Sequence, residues 1–351
     1  MPPVTFQITT PAPLTVSTPF ATIAGDGWVD IAEIRLSGST QPLTTTWTDA
    51  NSWSVQLPLQ AGTRSYTLTA HNAQGTQLGT ASITINATGS VFPAGPGSLV
   101  VSELNYNPPG STDATEFLEL LNITSATLDL TGCRFVEELG QGITYTFPSG
   151  VLLAPGARLL VVRDTTAFNA QYGAGLPLAP GVFTGALDNS GEMIVLYAAS
   201  GLEIFRFSYS DSLREADGDG KTLVRVLSGS SPNPDEYIWR VSLQNGGNPN
   251  ASDAAPFTGL PLADIDGDGI PALLEYAFGT SDADPSSSPA AAQITWHGDG
   301  TVSATFATRP NADAVIITPE TTSSLTAPWQ PLTGPVSAGD SRYFRVHVRL
   351  R

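Results

Sequence analysis

The 351-residue chain has one cysteine, Cys133, so it can form no internal disulfide, and its stability must come from packed cores, with metal as an optional addition. Lysine is nearly absent. Only 13% of residues are charged, and the 32 acidic against 15 basic side chains leave a net charge of −17 and a pI near 4.3. Such a field repels phosphate, which argues against nucleic acid or an anionic membrane as partner and leaves cations as the better fit. No run of eighteen apolar residues occurs, and no basic segment with an apolar core opens the chain, so nothing reads as a membrane span or a secretory leader. The three histidines, His71, His297 and His347, fall in different parts of the sequence without H-E-x-x-H spacing, so a zinc site lacks a ligand set. The G-x-S-x-G elbow, the phosphate loop and the strand-to-helix G-x-G-x-x-G fingerprint are all missing, and with them the usual marks of acyl and phosphoryl transfer.

What is present is a chain 41% hydrophobic, with 34 glycines, 28 prolines and abundant Thr and Ser. This length supports two to four domains with real cores, and the composition predicts an all-β protein of many short strands joined by turns. Residues 4–88 alternate apolar and polar in short runs: Val4–Ile8, Glu33–Leu36, Trp53–Leu57, Tyr66–Ala70 and Ala81–Ile85. Gly25-Asp-Gly27, Ser37-Gly38, Ala61-Gly62 and Gln74-Gly75 punctuate them at the spacing of a sandwich of about seven strands, with Trp47 and Trp53 expected in its core. The predicted organisation is a β-sandwich over 1–90, a linker at 91–97 within a Gly/Pro/Ala/Ser-rich stretch, a second sandwich over 98–252, an acidic loop and linker over 253–289, and a small β domain over 290–351.

The acidic loop carries the clearest chemistry. Asp264-Ile-Asp266-Gly-Asp268-Gly269-Ile270-Pro-Ala-Leu-Leu-Glu275 fits the template D-x-[DN]-x-[DN]-G-x5-E at every fixed position. Carboxylates at positions one, three and five converge, Gly269 permits the sharp turn, Ile270 offers its carbonyl, and Glu275 closes the shell bidentately, so Ca2+ is the predicted cofactor. A helix should follow at once, with Pro271 in its first turn, Leu274, Ala277 and Phe278 on one stripe, and Gly279 as the stop. Asp217-Gly-Asp219 is a second acidic turn, but no closing carboxylate lies in register and a plain turn is the expectation.

Longer motifs add resemblances. Leu99-Val-Val-Ser-Glu-Leu-Asn-Tyr-Asn-Pro-Pro109, Glu116-Phe-Leu-Glu-Leu-Leu-Asn122, Leu128-Asp-Leu-Thr-Gly132, Leu153-Ala-Pro-Gly156, Leu187-Asp-Asn-Ser-Gly-Glu192 and Ala216-Asp-Gly-Asp-Gly220 occur in this order. Together they resemble the lamin tail domain family over about 98–250, which implies an immunoglobulin-like sandwich. Departures are Cys133, where many relatives carry an aromatic, and Leu213-Arg214, where Trp-Pro is usual. The first domain is similar to bacterial immunoglobulin-like spacers. The acidic loop has no entering helix and looks like the half-hands of dockerin-like and thrombospondin type 3 repeats, in which calcium is structural and an acidic run such as Asp282 and Asp284 often follows.

One enzyme-like set exists: Glu103, Glu116 and Glu119, two of which could act as acid and base on a glycoside if held about 5–10 Å apart. Glu116 and Glu119 have opposite parity on one strand and should face opposite sides of the sheet, which opposes that use. Cys133 has no base near it in sequence and reads as a small buried hydrophobe. The last strand alternates, placing Phe344, Val346, Val348 and Leu350 inward and Tyr343, Arg345, His347, Arg349 and Arg351 outward, a basic face for a partner or a guarded sheet edge. The expected function is a non-catalytic, calcium-stabilised extracellular structural or adhesion module, the C-terminal part of a larger exported bacterial protein, with calcium stiffening the joint between its domains. The start at Met1-Pro-Pro-Val, straight into a strand pattern, suggests truncation. The alternatives are an accessory module of a secreted enzyme that binds carbohydrate or protein, with Trp28 and Tyr106 as contact candidates, and a hydrolase.

Overall fold

A computed structural model describes residues 5–110, 113–137, 140, 142–226, 237–337 and 343–351. The chain is nearly all β, with several sheets and, among the described residues, two α-helices, and it divides into two compact units: Met1–Arg225 with Asn233–Ala251, and Val226–Pro232 with Ser252–Arg351.

The first unit opens with a sandwich of two four-stranded sheets. One runs Gln7–Ile8, Phe20–Asp26, Ser52–Pro58, Thr45–Trp47; the other runs Leu14–Val16, Gln77–Ala87, Gly62–His71, Glu33–Leu36. Alternation sets the faces: Ala21 and Ile23 of one strand and Val55 and Leu57 of its neighbour point inward, where Leu68 and Ile85 of the facing sheet meet them. Trp53 is buried with Phe6 stacked on it at 5.2 Å, whereas Trp47, expected beside it, is 36% exposed because its strand lies at the sheet edge. Gly25 is not a turn glycine. It pairs with Trp53 across the sheet, and a Cβ there would sit 2.2 Å from the indole, so its missing side chain makes room for the ring.

Val91–Pro93 is a strand, paired in parallel with Thr127–Asp129, and not the free connection that its composition suggested. Phe92 explains the difference, for it is 1% exposed and packs in the core of the first sandwich together with Ala126. Two sandwiches thus share anchoring residues inside one unit. The second has the sheet Arg158–Val162, Phe117–Asn122, Leu99–Asn105, Leu223–Arg225, Trp239–Val241 facing the sheet Thr184–Ala186, Gly142–Thr146, Arg134–Phe135, Met193–Tyr197, Glu203–Ser208. Leu118 and Leu120 enter the core between these sheets, while Phe117, of opposite parity, packs against Phe168 and Tyr172 of helix α1, Thr165–Tyr172. A strand covered on both faces reads as an unbroken apolar run. Asp164 caps α1 by accepting from the N–H groups of Thr166 and Ala167, and Gly173 ends it at φ 85°.

The second unit holds helix α2, Ala272–Phe278, and two three-stranded sheets: Gln293–Trp296, Thr301–Thr305, Val336–Ser337, and Gln330–Pro331, Val315–Thr322, Tyr343–Leu350. Its buried cluster is small, with Leu273, Tyr276 and Ala277 from α2 against Ala312 and Val315. The buried stripe is therefore shifted by one residue from the predicted Leu274, Ala277 and Phe278, since Leu274 and Phe278 are only half-buried. The last strand alternates as expected, but Phe344, Val346 and Val348 are only half-buried and Leu350 is 45% exposed.

Candidate metal centre

The loop ahead of α2 is wound by its own carboxylates. Asp264 accepts from the N–H groups of Gly267 at 2.8 Å and Gly269 at 3.0 Å, and Asp268 accepts from Ile270 at 2.7 Å. Gly267 and Gly269 adopt φ of 76° and 88°, which side chains with a Cβ rarely reach. The winding gathers Asp264, Asp266 and Asp268 so that one carboxylate oxygen from each lies within 4.8 Å of the others. The Ile270 carbonyl accepts no hydrogen bond among the described residues.

Glu275 completes the set from inside α2. Its residue is 1% exposed, yet among the described residues neither carboxylate oxygen has a hydrogen-bond partner of normal geometry, and Oδ2 of Asp266 and Oδ2 of Asp268 are buried in the same state. Burial raises the Glu275 carboxyl above its ordinary range, the Thr280 hydroxyl beside it opposes the rise, and the charges of Asp266, Asp268 and Asp282 add to it. A buried carboxylate left without a donor costs several kcal/mol, so the arrangement calls for a cation. The donor set is all hard oxygen, which fits calcium by chemistry. Asp282 joins this group by accepting from the Ile265 N–H at 3.0 Å, a contact that spacing alone did not predict.

The other carboxylates have partners of a different kind. Glu116 pairs with Arg163 at 3.2 Å and accepts from the Leu187 N–H, and burial holds it up at about 7. Glu119 accepts from the Ser102 hydroxyl at 2.6 Å and pairs with Arg158 at 2.8 Å. Glu103 stands directly across from Glu119 in the sheet register and accepts from Thr222 at 2.6 Å and the Asn248 N–H at 3.2 Å. Since the Asn250 N–H donates to Glu119, the pair holds residues 248–250 against the sheet. Parity along one strand separates Glu116 from Glu119, but only strand pairing brings Glu103 opposite Glu119. All three are enclosed and committed to neighbours, unlike an acid and base facing a cleft.

The remaining candidates resolve in the same way. Tyr106 is fully buried, packed at 4.9 Å on Tyr209, so it is core and not a contact residue. Trp28 is half-buried. Asp217 accepts from the Asn107 amide at 2.7 Å within its turn. Burial pushes the Cys133 thiol up to about 12, far from a nucleophile's range. On the last strand Arg345 pairs with Glu320 at 2.7 Å and lies over Trp329, and His347 is 3.8 Å from Glu320, so one carboxylate of the same unit meets part of the basic face.

Residues 93–211, spanning much of the second sandwich, match the Lamin Tail Domain family, which supports a domain of that kind there. No curated protein matches the chain. Among solved structures the chain is similar to a DUF4876 family protein from Bacteroides thetaiotaomicron, at 12% identity over 60% of this chain and 89% of that one, with TM-score 0.29. It is also similar to the Yersinia pseudotuberculosis adhesin InvE, at 14% over 65% and 68%, TM-score 0.22. A third is SGBP-B of the Bacteroides ovatus mixed-linkage glucan utilization locus, solved with a mixed-linkage heptasaccharide, at 13% over 58% and 44%, TM-score 0.18. At these scores the likeness bears on neither ligand nor activity. No described helix is long and apolar enough to cross a membrane.

Proposed function

We propose that this chain is a non-catalytic structural or adhesion module of an exported bacterial protein, and that Ca2+ completes its C-terminal unit. The observation that carries the metal is Glu275, enclosed with both oxygens unpartnered beside three converging aspartates. Asp264, Asp266, Asp268 and Glu275 would hold the ion, with the Ile270 carbonyl as a further oxygen. The loop and α2 belong to the second unit, so calcium is assigned to building that unit instead of stiffening a joint between domains. The route from ion to fold is short. Tyr276, next to Glu275, donates to the Ala255 carbonyl at 2.5 Å and accepts from the Ala314 N–H at 3.2 Å, tying α2 to the chain on both sides of it. A bound cation would relieve the repulsion that otherwise pushes Glu275 out of this position.

The absence of a catalytic role rests on the enclosed, committed carboxylates and on Cys133. The extracellular placement rests on calcium levels, since a loop of this kind suits the millimolar ion outside cells. The test is calorimetric titration of the full chain with Ca2+ and Mg2+, paired with thermal unfolding in calcium and in chelator. One calcium site filled at the millimolar ion and a chelator-sensitive transition are expected. No heat of binding together with an unchanged transition would remove the metal from the proposal.

A further inference from the structure

The two sandwiches of the first unit enclose a cleft of about 780 Å³ that none of the chemistry above uses. Its walls are fixed. The buried Ser39 hydroxyl donates to the Ser200 carbonyl at 2.6 Å, and the Gln60 amide donates to the Pro96 carbonyl at 3.3 Å, so two hydrogen bonds join the sandwiches at residues that line the cleft. Phe92, seated in the core of the first sandwich, holds the two bodies in place between these contacts. The cleft therefore exists before any ligand arrives, which lowers the ordering cost of binding.

The lining combines ring faces with side-chain hydrogen-bonding groups. Phe20 is 49% exposed and Tyr66 half-buried, and both line the cleft with Gln56, Arg64 and Asp129. Arg64 has no ion pair among the described residues, its Nε reaching only the Ala61 carbonyl at 3.5 Å. Tyr66 accepts from the Gln60 N–H at 2.8 Å, which leaves its hydroxyl proton to donate. A smaller hollow of about 260 Å³ shares Gln60, Arg64 and Pro93 with the cleft, so the concave surface continues past them and suits an elongated ligand.

We propose that this cleft binds a neutral oligosaccharide of several sugar units, whose apolar ring faces lie on Phe20 and Tyr66 while its hydroxyls meet Arg64, Gln56 and Asp129. Two observations decide against other elongated ligands. The net charge of −17 disfavours polyanions. An extended peptide would need an open strand edge, and the edge of Glu33–Leu36 beside the cleft is already covered, with the Leu43 N–H on the Ile34 carbonyl at 2.8 Å and Pro42 bridged to Arg35.

The test is isothermal titration of the full chain with cellohexaose, laminarihexaose, mannohexaose and xylohexaose. At least one should bind saturably, and Phe20→Ala and Arg64→Met should each weaken that sugar at least about tenfold. Both side chains reach solvent, so circular dichroism and the unfolding of the first unit should match the parent. Binding should persist in chelator, because the cleft lies in the unit without the acidic loop, and a failure here leaves the calcium proposal standing. Saturable binding to none of the four sugars overturns the inference. So does binding that survives both substitutions, or that is lost on removing calcium.

Discussion

In the first unit Trp53, Phe117 and Phe168 are almost wholly enclosed, each among residues from several strands or from α1. In the second unit none of the eight residues of the last strand is buried, and the apolar cluster centres on one short helix. The first unit gains its stability by removing apolar surface from water, at roughly 25 cal/mol per Å². The second has far less to remove, and gathers three aspartates beside the buried carboxylate of Glu275. The comparison teaches that the two units differ in kind: one is held by packed volume, and the other has a small core beside buried oxygens that the proposed ion would satisfy.

The comparison is broken most severely by truncating the large core. Trp53→Ala should destabilise the first unit by about 3–5 kcal/mol while leaving any calcium-dependent transition where it was, as scanning calorimetry would show. A shift of both transitions together would mean that the units do not unfold separately.

Calcium removal should act in the opposite sense. At a hundredfold excess over its dissociation constant the ion contributes about 2.7 kcal/mol to the second unit, and chelator should remove this without moving the first. Asp266→Ala should mimic chelator in calcium. In chelator the same variant should unfold at a higher temperature than the parent, because one of the mutually repelling carboxylates is gone. A variant less stable than the parent under both conditions would assign Asp266 a purely local role in the loop.

The pH response sharpens the contrast further. Glu116 is held up at about 7 by burial, against an ordinary value of 4.5, with the Leu187 N–H and Arg163 pulling it down. The folded first unit thus binds this proton more tightly than the unfolded chain. Stability gained by protonation is present below 4.5 and is lost as pH rises from 4.5 through 7, by an amount of order 3 kcal/mol. Glu119 and Glu192, also raised by burial, act in the same direction. Glu116→Gln should flatten this slope, measured as urea midpoints at pH 5 and pH 8. An unchanged slope would place the responsible proton elsewhere.

The smallest effect belongs to a helix cap. Asp164→Ala should cost the first unit about 1 kcal/mol by releasing the N–H groups of Thr166 and Ala167, read from the same urea curves. A loss above about 3 kcal/mol would show that α1 matters to Phe117 more than a cap alone can explain.

Much of this was legible in residue patterns. Glu33–Leu36 forms the strand that its alternation predicted, Trp53–Leu57 lies within the strand Ser52–Pro58, and the last strand alternates as its pattern predicted. The motif order from Leu99 onward pointed to the domain that the match over 93–211 supports. Local readings failed where a distant residue set the outcome. Composition made 91–97 a linker, but Phe92 had a place in another core. Gly25 looked like a turn because its partner Trp53 lies far along the chain. Tyr106 looked like a contact residue because nothing local tells an exposed ring from one packed on Tyr209.

The sequence by itself determined the β class, the alternation of faces and the spacing of Asp264, Asp266, Asp268 and Glu275, because each depends on neighbours only a few residues away. Tertiary structure alone decided that Glu275 is buried without a partner, that Glu103 meets Glu119, and that two sandwiches form a cleft with Arg64 unpaired in its wall. Burial and strand register arise when segments far apart in the chain come into contact, and periodicity within one segment holds no record of that contact.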